Sequence, residues 1–269
     1  MSRATLAARP MAVTATRSVQ AVGPVTVTPG TSNATGAWTE MSAATPAAAQ
    51  FVVLHWANTK YANSATNSVL LDIGIGAAGA EVAIASSILV GGSGGSSFAV
   101  SGVHLPLYVP GGSRLAVRLT TDHATGGNAL IWAHLLDRSD RLRVSPPALV
   151  TMGAVTASSK GTTIASNDTY VQVAAATATP YQALVVTSAE YDALMASGNH
   201  VVTFAVGASG TESVIAVTPA IVSANEETGT GSARTAIGGH VPAGTRIAAK
   251  CSDGATNAVS VTVLGVPYA

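Results

Sequence analysis

Six histidines, His55, His104, His123, His134, His200 and His240, are the side chains of this sequence best suited to proton transfer or metal ligation near neutral pH. None has the spacing of a metal site, such as two histidines four apart with a glutamate between them. His134 aligns through an internal repeat with Val263, so it is expected to be a hydrogen-bonded residue that points inward or into an interface. Asp122 and His123 lie in a turn rich in Gly and Asn. The downstream counterpart of that turn, Ser252-Asp253-Gly254-Ala255-Thr256-Asn257, keeps the Asp and Asn but has no histidine, and turn chemistry accounts for both. The single cysteine, Cys251, excludes an intrachain disulfide. No nucleophile elbow, phosphate loop or paired-carboxylate signature is present. Asn33-Ala34-Thr35 and Asn167-Asp168-Thr169 match the glycosylation acceptor pattern, as a Thr-rich chain does by chance. The sequence therefore assigns no catalytic residue, no metal ligand and no cofactor, and a non-enzymatic protein is expected.

Two glutamates carry a clearer signal. Glu81 ends the stretch Gly76-Ala77-Ala78-Gly79-Ala80-Glu81, which leads into Val82-Ala83-Ile84-Ala85 and returns as Gly207-Ala208-Ser209-Gly210-Thr211-Glu212 before Ser213-Val214-Ile215-Ala216. Further correspondences follow in the same order. Tyr170 takes the place of Trp38, Leu184-Val185-Val186 that of Val52-Val53-Leu54, and Thr203 to Gly207 that of Asp72 to Gly76. Val241-Pro242-Ala243-Gly244-Thr245-Arg246-Ile247 replaces Val109-Pro110-Gly111-Gly112-Ser113-Arg114-Leu115. Ordered matches of this kind are the signature of an internal duplication. Side chains alternate across a strand, so Leu115, Val117 and Leu119 share one face while Arg114, Ala116 and Arg118 share the other. The second copy puts Ile247, Ala249 and Cys251 on the first face, which makes Cys251 a core thiol, and Arg246, Ala248 and Lys250 on the second. Arg118 and Lys250 are expected either to meet Glu81 and Glu212 or to be solvated.

The elements that must carry these residues read as short strands. Period-two alternation and apolar runs recur between turn signals every dozen residues or so, the pattern of an antiparallel sandwich. The expected fold is all-β, with two tandem antiparallel β-sandwich domains arising from duplication, preceded by an extended N-terminal arm. The arm covers residues 1–23, the first sandwich 24–137, a linker 138–147 and the second sandwich 148–269. Asp137-Arg138-Ser139-Asp140-Arg141-Leu142-Arg143 places five charges in seven positions before Pro146-Pro147, which reads as a solvated connection, a hinge or a contact with a partner. One helix is expected within the second module. Thr187-Ser188-Ala189-Glu190 has capping-box spacing, Tyr191, Leu194 and Met195 line one face, and Gly198 can end it.

Composition narrows the function classes. Only 10% of the 269 residues are charged, against about 25% in a typical soluble domain, and the net charge is zero. Sparse surface charge favours a protein covered by neighbours in an assembly. A neutral chain lacks the basic footprint of a nucleic-acid binder. Its apolar runs fall short of a membrane span. Arg3, Arg9 and Arg17 stand in a first segment without acidic residues, a composition shared with mitochondrial transit peptides, although Pro10 interrupts the helix such a peptide needs. The arm is expected to dock on a neighbouring subunit, with Gly92 and Gly94 of the Gly91-Gly95 loop, Arg138 and Arg141 as further interface candidates.

Asp72 to Glu81, Leu105-Pro106-Leu107-Tyr108-Val109-Pro110-Gly111-Gly112-Ser113-Arg114 and Val241 to Ala248 resemble segments of virion proteins of tailed bacteriophages. There a strand, a Pro-Ala-Gly-Thr-Arg turn and another strand recur in jelly-roll-like modules. The resemblance implies a structural or adaptor role in a tail, baseplate, connector or fibre, or capsid decoration, with other virion proteins and copies of the chain as partners. It implies no catalytic residue. Pro110, Pro242, Arg114, Arg246, Glu81 and Glu212 are the equivalent structural residues of the two modules. A carbohydrate-binding sandwich that recognises a host-surface glycan is the alternative of another class, since fold does not determine function.

Overall fold

A computed structural model describes residues 19–57, 68–92, 101–121, 128–137, 148–153, 161–165, 167–190, 198–222, 234–252 and 258–268. Among them every regular element is a strand. The first half holds β1 (Val19–Val27), β2 (Thr39–Ser42), β3 (Phe51–Ala57), β4 (Ser68–Ile75), β5 (Val82–Gly92), β6 (Ser101–Leu105), β7 (Leu115–Thr121) and β8 (Ala129–Leu136). They form two antiparallel sheets of order β1-β8-β3-β6 and β2-β7-β4-β5. The chain crosses from sheet to sheet at almost every connection, which is the winding of a jelly roll.

The second half begins with β9 (Val150–Met152) and continues through β10 (Thr162–Ala165), β11 (Val171–Ala174), β12 (Tyr181–Glu190), β13 (Gly198–Val206), β14 (Ser213–Val222), β15 (Arg234–Val241), β16 (Ile247–Ser252) and β17 (Ala258–Pro267). Its sheets have the orders β10-β17-β12-β15 and β11-β16-β13-β14, with β9 added along β17. Strand for strand this is the winding of the first half.

Alternation decides which residues fill the cores. Leu115, Val117 and Leu119 of β7 are fully buried, as are Ile247, Ala249 and Cys251 of β16. Trp56, Leu54, Leu71 and Ile73 build the first core, and Tyr181, Phe204, Val261 and Val263 the second. Gly74 and Gly265 are set by close approach. A Cβ on Gly74 would lie 2.7 Å from the Trp38 ring, and one on Gly265 would lie 2.6 Å from Tyr181.

The sandwiches meet through apolar surface. Leu149, Val185, Leu264 and Val266 of the second half belong to the same buried cluster as the first core, joined to it beside Ile84 and Ala85 of β5. Leu149 N–H donates to the Ile84 carbonyl at 2.9 Å, and Thr151 Oγ1 donates to the Ser86 carbonyl. The edge strand β5 therefore lies against the outer face of the β9, β17 and β12 sheet.

Two sequence expectations are corrected. Strand β1 begins at Val19, so residues 19–23 of the expected arm belong to the first sandwich, where Val22 joins the core. Pairing of Val19 with Leu136 through Val22 with Ala133 supplies the backbone hydrogen bonds that a free arm would lack. Residues 1–18 lie outside the described residues. The helix expected from Thr187 is also absent at its start, because Thr187 to Glu190 continue β12 in register with β17. Thr187 is buried with its hydroxyl 2.6 Å from that of Thr262, so sheet pairing overrides the local capping pattern. Tyr191, Leu194 and Met195 lie outside the described residues.

Because Leu264 joins a core common to both halves, Leu264→Ala is expected to cost about 2–5 kcal/mol. Calorimetry and denaturant unfolding should show one cooperative transition that moves as a whole. Two separate transitions, only one of them displaced, would contradict a common core.

Candidate functional site

Three arrangements bring charged or aromatic side chains together. The first closes one end of each sandwich. Thr45 Oγ1 donates to the Pro110 carbonyl at 2.8 Å and accepts from Ser113 N–H at 3.2 Å, and Thr177 makes the same pair of bonds to Pro242 and Thr245 at 2.7 and 3.1 Å. These bonds hold the Pro turn so that the residue after it, Arg114 or Arg246, faces the Gly-rich connection. That connection bends through positive φ at Gly76 and Gly79, and at Gly207 and Gly210 in the second copy, where side chains other than glycine's are strained. Arg114 Nη1 then meets Glu81 Oε1 at 2.5 Å while its Nε meets Glu40 Oε2 at 2.7 Å. Arg246 Nη1 meets Glu212 Oε1 at 2.8 Å. The place of Glu40 is taken by Gln172, since Glu40 pairs with Ala116 and Gln172 with Ala248.

The electrostatics follow from these contacts. Burial would raise the Glu81 carboxyl, but its own backbone N–H and the Arg114 guanidinium outweigh that and hold it below the usual carboxylate range. Glu212 is lowered by its own backbone N–H, against burial, and by Arg246. Arg114 is raised by Glu40 first and by Glu81 second.

The second arrangement corrects the partners expected for Arg118 and Lys250. Glu81 and Glu212 are taken by Arg114 and Arg246, the cations next to the turn. Arg118 pairs instead with Asp72 at 2.8 Å and lies 4.3 Å from the Trp38 ring centroid. Lys250 pairs with Asp168 at 2.8 Å over Tyr170 at 5.1 Å, and Asp168 raises its pKa. The exchange of Trp38 for Tyr170 thus preserves a ring beneath a cation. Asp72 has a further task, accepting Ser87 N–H at 2.8 Å where β5 kinks with Ser87 at φ 55°.

The third arrangement was hidden by a one-residue error in register. β3 pairs with β8 so that Val53 faces His134 and His55 faces Trp132, whereas β12 pairs with β17 so that Val185 faces Leu264 and Thr187 faces Thr262. His134 is therefore the counterpart of Leu264, not of Val263, and stands on the outer face of its sheet. A slip of one residue exchanges the two faces of a strand. On that outer face His55 stacks on Trp132 with ring centroids 5.4 Å apart and meets His134 edge-on at 5.2 Å. His104, opposite Val53 on β6, is exposed at the rim. Gly102 faces His55, and a Cβ there would come within 2.7 Å of His55 Nδ1. Desolvation lowers the His55 pKa from 6.5, and the neighbouring His134 and His104 lower it further. The signal for this patch was the period-two placement of Trp132 and His134 opposite Val53 and His55.

The remaining candidates are dispersed. Gly92 ends β5 opposite Ser68. Arg3, Arg9, Arg17, Gly94, Arg138, Arg141, Asp122 and His123 lie outside the described residues. His240 Nδ1 is 2.8 Å from the Tyr268 hydroxyl at the surface. Among the described residues no three His, Cys, Asp or Glu side chains group as a metal ion would require, and no helix is long and apolar enough to cross a membrane.

No family model matches the chain, and no curated protein matches it. Among solved structures it is similar to PNGF-II at 10% identity and a TM-score of 0.43, covering 93% of this chain and 66% of that one, so it spans just under two thirds of PNGF-II. It is similar to the STIV MCP at 9% identity and a TM-score of 0.35, covering 93% of this chain and 96% of that one. Infectious bursal disease virus Gx strain gives 10% identity and a TM-score of 0.22, with 93% and 72% covered. At these values the likeness carries no argument about role, and the fold rests on the strand order above.

Two pH dependences follow. The Glu81 and Glu212 carboxyls are lowered in the folded state, so the stability they contribute is full above the unfolded value near 4.5 and is lost as pH falls through the folded values. The double variant Glu81→Gln with Glu212→Gln should melt several degrees lower at pH 7 and lose less on acidification to pH 3, as read by thermal scans across that range. His55 is lowered as a base, so the folded state takes up its proton later than the unfolded chain does. Stability falls as pH drops through 6.5 toward the folded value. Nuclear magnetic resonance titration should find the His55 midpoint below 6.5, and His134→Gln should move it upward.

Proposed function

We propose that this protein is a non-enzymatic structural subunit of a virion, its two sandwiches at 19–137 and 148–269 descending from one duplicated jelly roll. The observation that carries the reading is the union of two jelly rolls of identical winding through a common apolar core, closed at matching ends by Arg114–Glu81 and Arg246–Glu212. Such a body is rigid and repetitive, which suits the regular contacts of a symmetric particle. A surface with few charges supports the same role, because packed neighbours replace solvation. Within a virion the sequence resemblance favours the tail, baseplate, connector or fibre of a tailed bacteriophage, with capsid decoration as the alternative. Its partners are then other virion proteins and further copies of the chain.

A second reading, binding of a host-surface glycan, draws on Trp132 and His55, whose partly exposed rings offer a stacking surface on the first sandwich. The test of the main reading is mass spectrometry and electron microscopy of the particles that carry the protein. A fixed copy number per particle, with density for paired jelly rolls, is expected, and absence from purified particles would overturn the role. A glycan array probed with the full chain separates the second reading. Selective binding lost in Trp132→Ala would favour it.

A further inference from the structure

The two sandwiches are alike in winding but unlike in what covers them. The outer face of the second β12–β17 sheet is buried, with Val185, Thr187, Thr262, Leu264 and Val266 shielded beside the edge strand β5 of the first sandwich. The counterparts of these residues on the first sandwich are Val53, His55, Trp132, His134 and Leu136, matched through the strand registers. There His55, Trp132, His134 and Leu136 are only partly buried, and Leu130 beside them is 37% exposed. The edge shows the reverse asymmetry. Strand β5 is used, its Ile84 and Ser86 carbonyls accepting hydrogen bonds from Leu149 and Thr151. Its counterpart β14 is the terminal strand of the second sandwich and exposes Val214 (55%) and Val217 (58%). The equivalence of the two edges is given by Ala83 opposite Gly74 and Val214 opposite Ala205. An apolar edge strand with one open side is a template for further contact.

Among the described residues, each chain thus contains one completed contact of edge on face and one unused half of each kind. We propose that β14 of one copy docks on the outer β3–β8 face of a second copy, repeating between chains the contact that β5 makes with the second sandwich within the chain. The occupant is a second copy because this chain already shows that such an edge covers such a face. The pieces differ in size as well as in sequence. Trp132 and His55 stand where Thr262 and Thr187 stand in the internal contact, and Val217 stands in β14 where Ser86 stands in β5. Larger rings on the face and a larger apolar side chain on the edge make the intermolecular contact a wider version of the internal one. The contact is heterologous, so it propagates from copy to copy and yields either a closed ring or a filament.

The inference stands on the geometry of the isolated chain and is separable from a place in a virion. Sedimentation velocity and mass photometry of the full chain should show species larger than a dimer. Trp132→Glu disables the face and Val217→Asp disables the edge, and each should raise the apparent dissociation constant at least about tenfold. An equimolar mixture of the two variants retains one competent face and one competent edge, so it should form dimers and nothing larger. Circular dichroism and thermal melts check folding, with His134→Glu and Val214→Asp as replacements if either first variant unfolds. A monomeric wild-type chain, a mixture that stays monomeric, or assembly unaffected by either substitution would overturn the contact. Loss of assembly on deleting residues 1–18, with both surface variants behaving as wild type, would also overturn it by making the N-terminal segment the occupant. A monomeric chain found at fixed copy number in particles would refute the contact and leave the virion role standing, whereas an assembling chain absent from particles would do the opposite.

Discussion

The burial of Leu264, Val266 and Val185 against the edge of the first sandwich is the interaction on which the rest of this molecule depends. Apolar burial stabilises at about 25 cal/mol per Å² of surface removed from water, and it has no direction of its own. Direction comes from the edge of β5, whose Ile84 and Ser86 carbonyls take hydrogen bonds from the incoming strand region. Together they join two modules that a charged segment connects along the chain. The kink at Ser87, held by Asp72, shapes the edge that makes the contact.

Within each module the arginine next to the Pro turn serves as a clasp. A buried ion pair does not by itself ensure stability, since desolvation opposes attraction. In the second module the charge is satisfied by backbone as well. The Glu212 carboxylate accepts Gly210 N–H at 2.9 Å in addition to Arg246, and the turn beneath the arginine is stapled by Thr45 or Thr177. The clasp therefore specifies where a loop of small residues must lie, and sandwich closure inherits that specification. Arg118 and Lys250 perform a lesser version of the same task over Trp38 and Tyr170.

The two sandwiches diverge most on one face. Where the second buries Thr187, Thr262 and Leu264, the first leaves the rings of His55, Trp132 and His134 partly exposed. Small residues permit close approach of strands, while stacked rings keep a covering element farther off. Of two sandwiches alike in winding, one thereby has a face committed to internal assembly, and the other keeps partly exposed rings on the same face.

The sequence by itself determined the class of fold, the matching turns of the two halves, the inward faces of β7 and β16, and the burial of Cys251. These follow from local rules, since period-two alternation needs no knowledge of a partner strand and matched turns report themselves at a nearly constant spacing. Long-range register and pairing belonged to the tertiary structure. It put His134 on the outer face by pairing it with Val53, drew Thr187 to Glu190 into β12, and extended the first sandwich back to Val19. It also gave Glu81 to Arg114 and Asp72 to Arg118, a choice between cations four residues apart that alternation alone leaves open. Such choices depend on which strands lie side by side, and a one-residue shift between strands far apart in the chain reverses every face while leaving local composition unchanged.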